Sequence, residues 1–194
     1  MMRVWEEEMR ARSRLLGYAR LTALYAGMVM LVWWARPTRT WLWVGLVPLV
    51  AGEAVRWWAA GHLLKSKELV TSGPYAYTQN PLYLGRLLIL VGLGVMCTLP
   101  WKLNWLALAV GLGGFYGYYL PRKLRVEGAR LESKHGERWK QYRRSVPILF
   151  PTTRRYPGTE PQRWSWERMV RNREYVMLLG LGVLVLLLWL RLPS

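Results

Sequence analysis

Aspartate is absent from this chain of 194 residues, histidine occurs twice, and cysteine once. Each shortage removes a class of chemistry. All 11 acids are glutamates, so mechanisms built on aspartate are excluded. Cys97 stands alone in an apolar run, which excludes a disulfide framework and a thiolate cluster for zinc or iron–sulfur binding. His62 and His135 lie far apart with no cysteine nearby, so a metal site would have to be assembled from glutamate and backbone oxygen; none is expected. Apolar surface and positive charge are what the chain has in excess. It is 53% hydrophobic, carries 13 tryptophans and a formal net charge of +17, and its mean hydropathy is +0.05. That combination argues against an ordinary soluble domain. No stretch looks like a nucleic-acid-binding module, and the positive charge alternates with long apolar segments, so a membrane accounts for both features and nucleic acid is not an expected partner.

A membrane span takes about 20 mostly apolar residues. Five segments approach that length. The first runs from about Leu21 to Ala35 and begins as early as Leu15. The stretch before it is long, mixed in charge and contains three glutamates, with no small-residue cleavage site following, so it does not read as a signal peptide. Arg36-Pro37-Thr38-Arg39-Thr40 turns the chain. The second span runs from Trp41 to about Leu64, the third from Pro81 to about Leu99, and the fourth from Leu103 to Leu120 with Pro121 closing it. After more than fifty polar residues a fifth apolar run, Tyr175 to Leu190, follows. The expected fold is therefore all-α: an integral membrane protein with about five transmembrane helices and a cytoplasmic amphipathic helix.

Lysine and arginine fix the orientation, because they are retained on the cytoplasmic side. Residues 1–20, 62–80 and 121–174 together hold 22 of them, and the opposite side holds only Arg36, Arg39, Lys102 and Arg191. The N-terminus is placed in the cytoplasm. The tryptophans at 33, 34, 41, 43, 57, 58, 101 and 105 read as interfacial anchors. Inside the second span, Glu53 and Arg56 stand one helical turn apart, and two readings are open: mutual neutralisation with Arg56 snorkelling to the surface, or an intramembrane functional site. Arg86, at three-residue spacing from Asn80 and Tyr83, shares their helix face at the cytoplasmic end of the third span and is a substrate-binding candidate.

Two polar segments carry the chemistry. In KSKELVTSGPYAYTQNPLYLG (65–85), Ser72-Gly73-Pro74 and Asn80-Pro81 each bend the backbone. Non-helical backbone this close to a membrane is buried in protein or lines a cavity, so the segment reads as a pocket wall. A helix starting at Pro81 would turn its free N–H groups and positive dipole end toward the carboxylate of a small ligand. The second segment, from Pro121 to Pro151, reads as an amphipathic helix from about Arg122 to Lys134, stopped at Gly136, then a short helix around Trp139–Tyr142 and an exit at Val146-Pro147. On its own the helix would bind anionic lipid headgroups.

GPYAYTQNPLY after Leu69-Val70-Thr71, a Glu-containing helix, His135-Gly136 before Trp139 and Tyr142, and Val146-Pro147 near Pro151 resemble the isoprenylcysteine carboxyl methyltransferase family and its phospholipid N-methyltransferase relatives. The resemblance covers roughly residues 61–151. It implies a multi-span helical enzyme that holds S-adenosylmethionine between the last core spans and the cytoplasmic segments, with a lipophilic substrate entering from the bilayer. Carried over by position, cofactor contacts fall on Lys67, Glu68, Leu69, Val70, Tyr75, Asn80, Pro81, Leu82, Tyr83 and Glu127. The catalytic positions fall on Glu127 and Lys123, and substrate contacts on Lys123 and Arg86. The implied organisation is a cytoplasmic segment (1–20), a methyltransferase-like membrane core (21–151), a basic cytoplasmic linker (152–174) and a C-terminal transmembrane segment (175–194). Three departures stand out. Lysine replaces the family's arginine at 123, Gln79-Asn80 replaces Arg-His, and Gly128 replaces the second of two paired glutamates. Asparagine keeps a hydrogen bond but cannot titrate near neutral pH.

The resemblance implies methyl transfer from a sulfonium, an in-line displacement that chiefly needs alignment and exclusion of water. A carboxylate acceptor needs no base; an amine or hydroxyl does, with Glu127, Glu68 and Glu53 as the available carboxylates. The leading expectation is a membrane methyltransferase acting on an isoprenoid or lipid-linked substrate, with carboxylate O-methylation as one form. Two alternatives stay open: a non-catalytic membrane protein that keeps the fold, and a lipid or sterol reductase using NADPH.

Overall fold

Thr38 opens the first helix that is described throughout: extended at φ −111°, it accepts a hydrogen bond on Oγ1 from Trp41 N at 3.5 Å. The computed structural model describes residues 26–63 except 28 and 31, residues 69–159, and residues 162–193. Among these the regular structure is all helical, with no strand. The helices are α1 (Arg39–His62), α2 (Pro81–Met96), α3 (Leu103–Gly114), α4 (Leu120–Ser145), α5 (Trp166–Arg171) and α6 (Glu174–Leu190). Within the first apolar run, the described positions among 26–34 are helical as well. The basic residues of 1–20, and Lys67 and Glu68, lie outside the described residues.

Helices α1 and α2 run antiparallel along a seam of small residues. Gly45 faces Gly92 and Gly52 faces Gly85; a Cβ at Gly45 would stand 2.5 Å from the Gly92 carbonyl oxygen, and one at Gly52 would stand 2.6 Å from that of Gly85. Only glycine permits this approach, and close backbone contact through small residues is how helices associate where water is absent. Leu42, Leu49, Ile89 and Met96 fill the remaining seam, and Leu181, Leu184 and Leu188 of α6 complete the cluster.

None of the described helices is long and apolar enough to cross a membrane. Helices α2 and α6 have 16 and 17 residues, about 25 Å of helix against a hydrocarbon layer of about 30 Å. Helix α1 has 24 residues but carries Glu53 and Arg56. The expectation of about five transmembrane helices is therefore corrected: the apolar segments are helical, but no described helix meets the requirement for a span.

One boundary also differs. Pro121 does not end a helix. The chain passes from α3 into α4 through a π-turn at Phe115–Tyr119, where the N–H of Leu120 bonds the carbonyl of Phe115. Proline at 121 has no N–H to give to residue 117 and its ring crowds that carbonyl; widening the preceding turn relieves both, and Gly117 adds no side chain there. The amphipathic helix is interrupted at Gly136 (φ 50°, ψ −125°), a backbone region that favours glycine, as the sequence reading expects, and the second helical stretch continues to Ser145.

Candidate functional site

At the His62 end of α1, residues 69–80 form a strap over the helix pair. Its centre is a 3₁₀ turn, Gly73–Ala76, with Gly73 at φ 57°. A side chain at Gly73 would strike the His62 imidazole, whose Nδ1 lies 3.1 Å from Ser72 Oγ. The strap is clasped to the chain following α4. Gln79 N donates to Pro147 O (2.9 Å) and Gln79 Nε2 to Val146 O (2.5 Å), while Asn80 Nδ2 donates to Ile148 O and Thr78 Oγ1 to Leu149 O, both at 2.8 Å. Further on, Thr152 N reaches Tyr77 O and Tyr156 N reaches Ala76 O, each at 3.0 Å. Tyr142 OH donates to Tyr75 O at 2.7 Å. Gln79 and Asn80, which stand where the family resemblance implies Arg-His, thus spend their amide groups on holding the two polar segments together.

Between strap, α2 and α4 lies a cavity of about 480 Å³. Leu69, Val70, Tyr75, Asn80, Pro81, Leu82, Tyr83, Arg86, Lys123 and Glu127 all line it. Three sequence-distant stretches therefore converge on one space. Gln79, Gly128, Arg130, Leu131, Lys134, His135, Trp139, Tyr142 and Arg143 also line it but had no assigned contact. His135, Trp139 and Tyr142 belong to the motif that carries the resemblance, so their presence was visible and their placement was not.

Among the described residues, Glu127 is the one carboxylate in that lining, against Arg86, Lys123, Arg130, Lys134 and Arg143. Its Oε1 accepts from Tyr83 OH at 2.8 Å and from Lys123 Nζ at 3.2 Å. The second wall is aromatic. Arg86 lies 5.5 Å from the centre of the Tyr83 ring and 5.9 Å from that of Tyr119, and it donates to Tyr119 OH. Deeper in, the Tyr75 hydroxyl and the Trp139 indole N–H are buried without a protein partner among the described residues. Burial pushes the Tyr75 and Tyr142 phenols above their ordinary pKa, so both remain neutral donors. Unpartnered buried donors such as Tyr75 OH and Trp139 Nε1 are costly unless something accepts from them, and the two residues that carry them line the cavity.

Neither Glu53 nor Arg56 lines this space. Arg56 is buried rather than snorkelling, and its chief partner is Glu174 at the start of α6; Glu53 Oε1 stands 3.7 Å from Arg56 Nε. The basic stretch before α6 packs against the same end of α1. Ser165 N donates to Gly61 O (3.0 Å), Asn172 Nδ2 to Ala60 O (3.0 Å), and Trp164 Nε1 to Trp57 O (3.2 Å). Among the described residues, no group of three or more histidine, cysteine, aspartate or glutamate side chains gathers to hold a metal ion.

Residues 53–119 match the phospholipid methyltransferase family. That region holds α2, the strap and the start of the glycine seam's return, though not Glu127. The chain is 31% identical over 147 residues to the cobalt-zinc-cadmium resistance protein CzcN of Cupriavidus metallidurans, covering 74% of this chain and 65% of the relative. It is 34% identical over 112 residues to the nickel-cobalt-cadmium resistance protein NccN of Alcaligenes xylosoxydans, covering 57% of this chain and 49% of the relative. The chain thus spans less than two thirds of the length of the curated relatives it matches. No solved structure matches it significantly.

Proposed function

We propose that this chain is a membrane methyltransferase that uses S-adenosylmethionine to methylate a lipophilic acceptor. The observation that carries the reading is the convergence of Tyr75, Tyr83, Lys123 and Glu127 on one cavity, in a chain whose residues 53–119 match a phospholipid methyltransferase family. The volume suits a ligand of cofactor size. Glu127 would accept from the ammonium of the donor's amino-acid part, and Tyr75 OH and Trp139 Nε1 would each supply a hydrogen bond to its remainder. Apolar Leu69, Val70 and Leu131 would cover the purine. When bound, S-adenosylmethionine supplies a methyl group on a sulfonium centre. The residues of this chain then orient, exclude water and, for an amine or hydroxyl acceptor, take the departing proton on Glu127. Lys123 and Arg86, at the mouth, would face an anionic headgroup or carboxylate, which supports a carboxylate acceptor.

A bilayer setting is supported by the outer faces of the helices. Trp43, Val47 and Val50 of α1, Leu106 and Val110 of α3, and Leu179, Val183 and Leu186 of α6 are all exposed, far more apolar surface than a protein in water presents. Helices shorter than the hydrocarbon layer are accommodated by local thinning of the bilayer. The cavity end, which carries most of the lysine and arginine, would face the cytoplasm.

The test is calorimetry of purified protein in detergent with S-adenosylmethionine, followed by methyl incorporation from labelled donor into total membrane lipid. Binding and lipid label support the reading. Release of the label by mild base assigns an ester and hence a carboxylate acceptor; base-stable label assigns nitrogen or ether oxygen. Tighter binding of NADPH than of S-adenosylmethionine would replace the proposal with a reductase, and absence of both binding and label would leave a non-catalytic protein.

A further inference from the structure

Arg86 lines the cavity and is exposed, yet its guanidinium is not loose. It is held by two tyrosines from different elements: Tyr83, one turn earlier on α2, and Tyr119, the last residue of the π-turn before Pro121. The two rings meet edge to face at 5.6 Å and an interplanar angle of 79°. Tyr119 OH accepts from Arg86 Nη1, and Tyr83 OH donates onward to Glu127. One aromatic pair therefore braces both the cation at the mouth and the carboxylate inside. The π-turn matters to this arrangement because it rotates the residues after it by the extra residue per turn, so a regular helix through 115–120 would carry Tyr119 to a different face. Phe115 backs the ring at 5.8 Å.

We propose that Tyr119 is a positioning residue for the acceptor: from the π-turn it holds the Arg86 guanidinium so that its remaining N–H donors face an anionic group of the substrate. The proposal rests on the methyltransferase reading for its substrate half and on geometry alone for the clamp. Arginine presents a planar fork of donors that recognises an oxyanion best when its orientation is fixed beforehand. Tyr119 touches neither donor nor acceptor in this scheme; it acts through Arg86.

Two measurements separate the halves. The clamp is read without any ligand, by the rate at which phenylglyoxal modifies Arg86 in the purified protein, followed by peptide mass spectrometry with exposed Arg125 as the internal reference. Tyr119→Leu should accelerate labelling of Arg86 several-fold and leave Arg125 unchanged; Tyr119→Phe, which keeps the ring and loses the hydroxyl, should fall between. Equal rates in all three proteins would overturn the clamp. The substrate half is read by steady-state methylation of a total membrane lipid extract dispersed in detergent. Tyr119→Phe should raise the acceptor KM about tenfold, with kcat and the calorimetric Kd for S-adenosylmethionine within about twofold of the parent, and Arg86→Lys should do the same. A fall in kcat and cofactor affinity together with a lower Tm would mark a structural role and overturn positioning; faster labelling with an unchanged KM would keep the clamp and overturn its role in substrate recognition. A parent protein that transfers no methyl group would overturn the proposed function and the substrate half with it, while the labelling rates still decide the clamp. Should Tyr119→Leu fail to fold, the Tyr119→Phe rates decide alone.

Discussion

The middle of the helix pair and its cavity end are held together by opposite means. Along the seam, Gly45, Gly52, Gly85 and Gly92 let two backbones touch because nothing stands between them. At the cavity end, strap and α4 exit are joined by hydrogen bonds across about 70 residues of sequence, with Thr78, Gln79 and Asn80 each giving a side-chain donor. The seam tolerates no added atom and makes no demand on its surroundings. The clasp tolerates small shifts but has to satisfy each polar group, and in doing so leaves a space that no side chain fills. Stability should therefore be concentrated in the first region, and ligand selectivity in the second.

The sharpest way to break that contrast is to remove the charge that ties α6 to the seam. Arg56→Met strands Glu174 and Glu53 in a buried site, and loss of one partner of a buried ion pair costs about 3–5 kcal/mol. Thermal unfolding in detergent should show a large fall in Tm, and the double variant Arg56→Met/Glu174→Met should recover much of it. Next in size is Gly52→Val, whose side chain would press on the Gly85 carbonyl; overpacking of this kind costs about 1–3 kcal/mol. Both should weaken cofactor binding only in proportion to the loss of folded protein. An affinity loss with unchanged Tm would show that the seam and the cavity are not separate.

Smaller and differently placed is Glu127→Gln. It removes the negative charge that would receive the donor's ammonium but keeps an oxygen for Tyr83 OH, and the half-exposed Lys123 pair it breaks is worth only about 0.3–0.5 kcal/mol of stability. Calorimetry should give a loss of S-adenosylmethionine affinity of about tenfold or more with Tm nearly unchanged. If the acceptor is a carboxylate, saturating cofactor should largely restore turnover; if it is an amine or hydroxyl, turnover stays down about a hundredfold. The smallest expected effect is Gln79→Ala, where two amide contacts to backbone carbonyls are lost at the cost of about 1 kcal/mol, measured as a shift in denaturation midpoint.

Local punctuation made part of this arrangement readable from sequence. Pro81 opens α2, Pro100 follows the end of α2, and Gly136 interrupts the amphipathic helix, all through backbone properties that belong to the residue itself. The cavity was legible because GPY, Asn80-Pro81 and Glu127 lie in segments whose resemblance to a family already pairs them. What stayed hidden depends on distance. Glu174, 118 residues from Arg56, carries no local sign of its partner. Trp139 stands in the motif that carries the resemblance, but nothing local to it shows that it lines the cavity with its indole N–H buried. Pro121 reads as a terminator, and the π-turn before it lets the helix continue.

The pairing of Arg56 with Glu174 has a consequence for how the chain is made. A ribosome releases α1 long before α6, and chains begin to fold from the N-terminus as they emerge. During that interval Arg56 has Glu53, on its own helix, as its ready counter-charge. When Glu174 arrives it takes Arg56 Nη2, and Glu53 remains beside Nε. Glu53 is thus a placeholder, keeping a cation tolerable while α1 and α2 close their glycine seam, and α6, made later, finds its berth marked by a charge already in place.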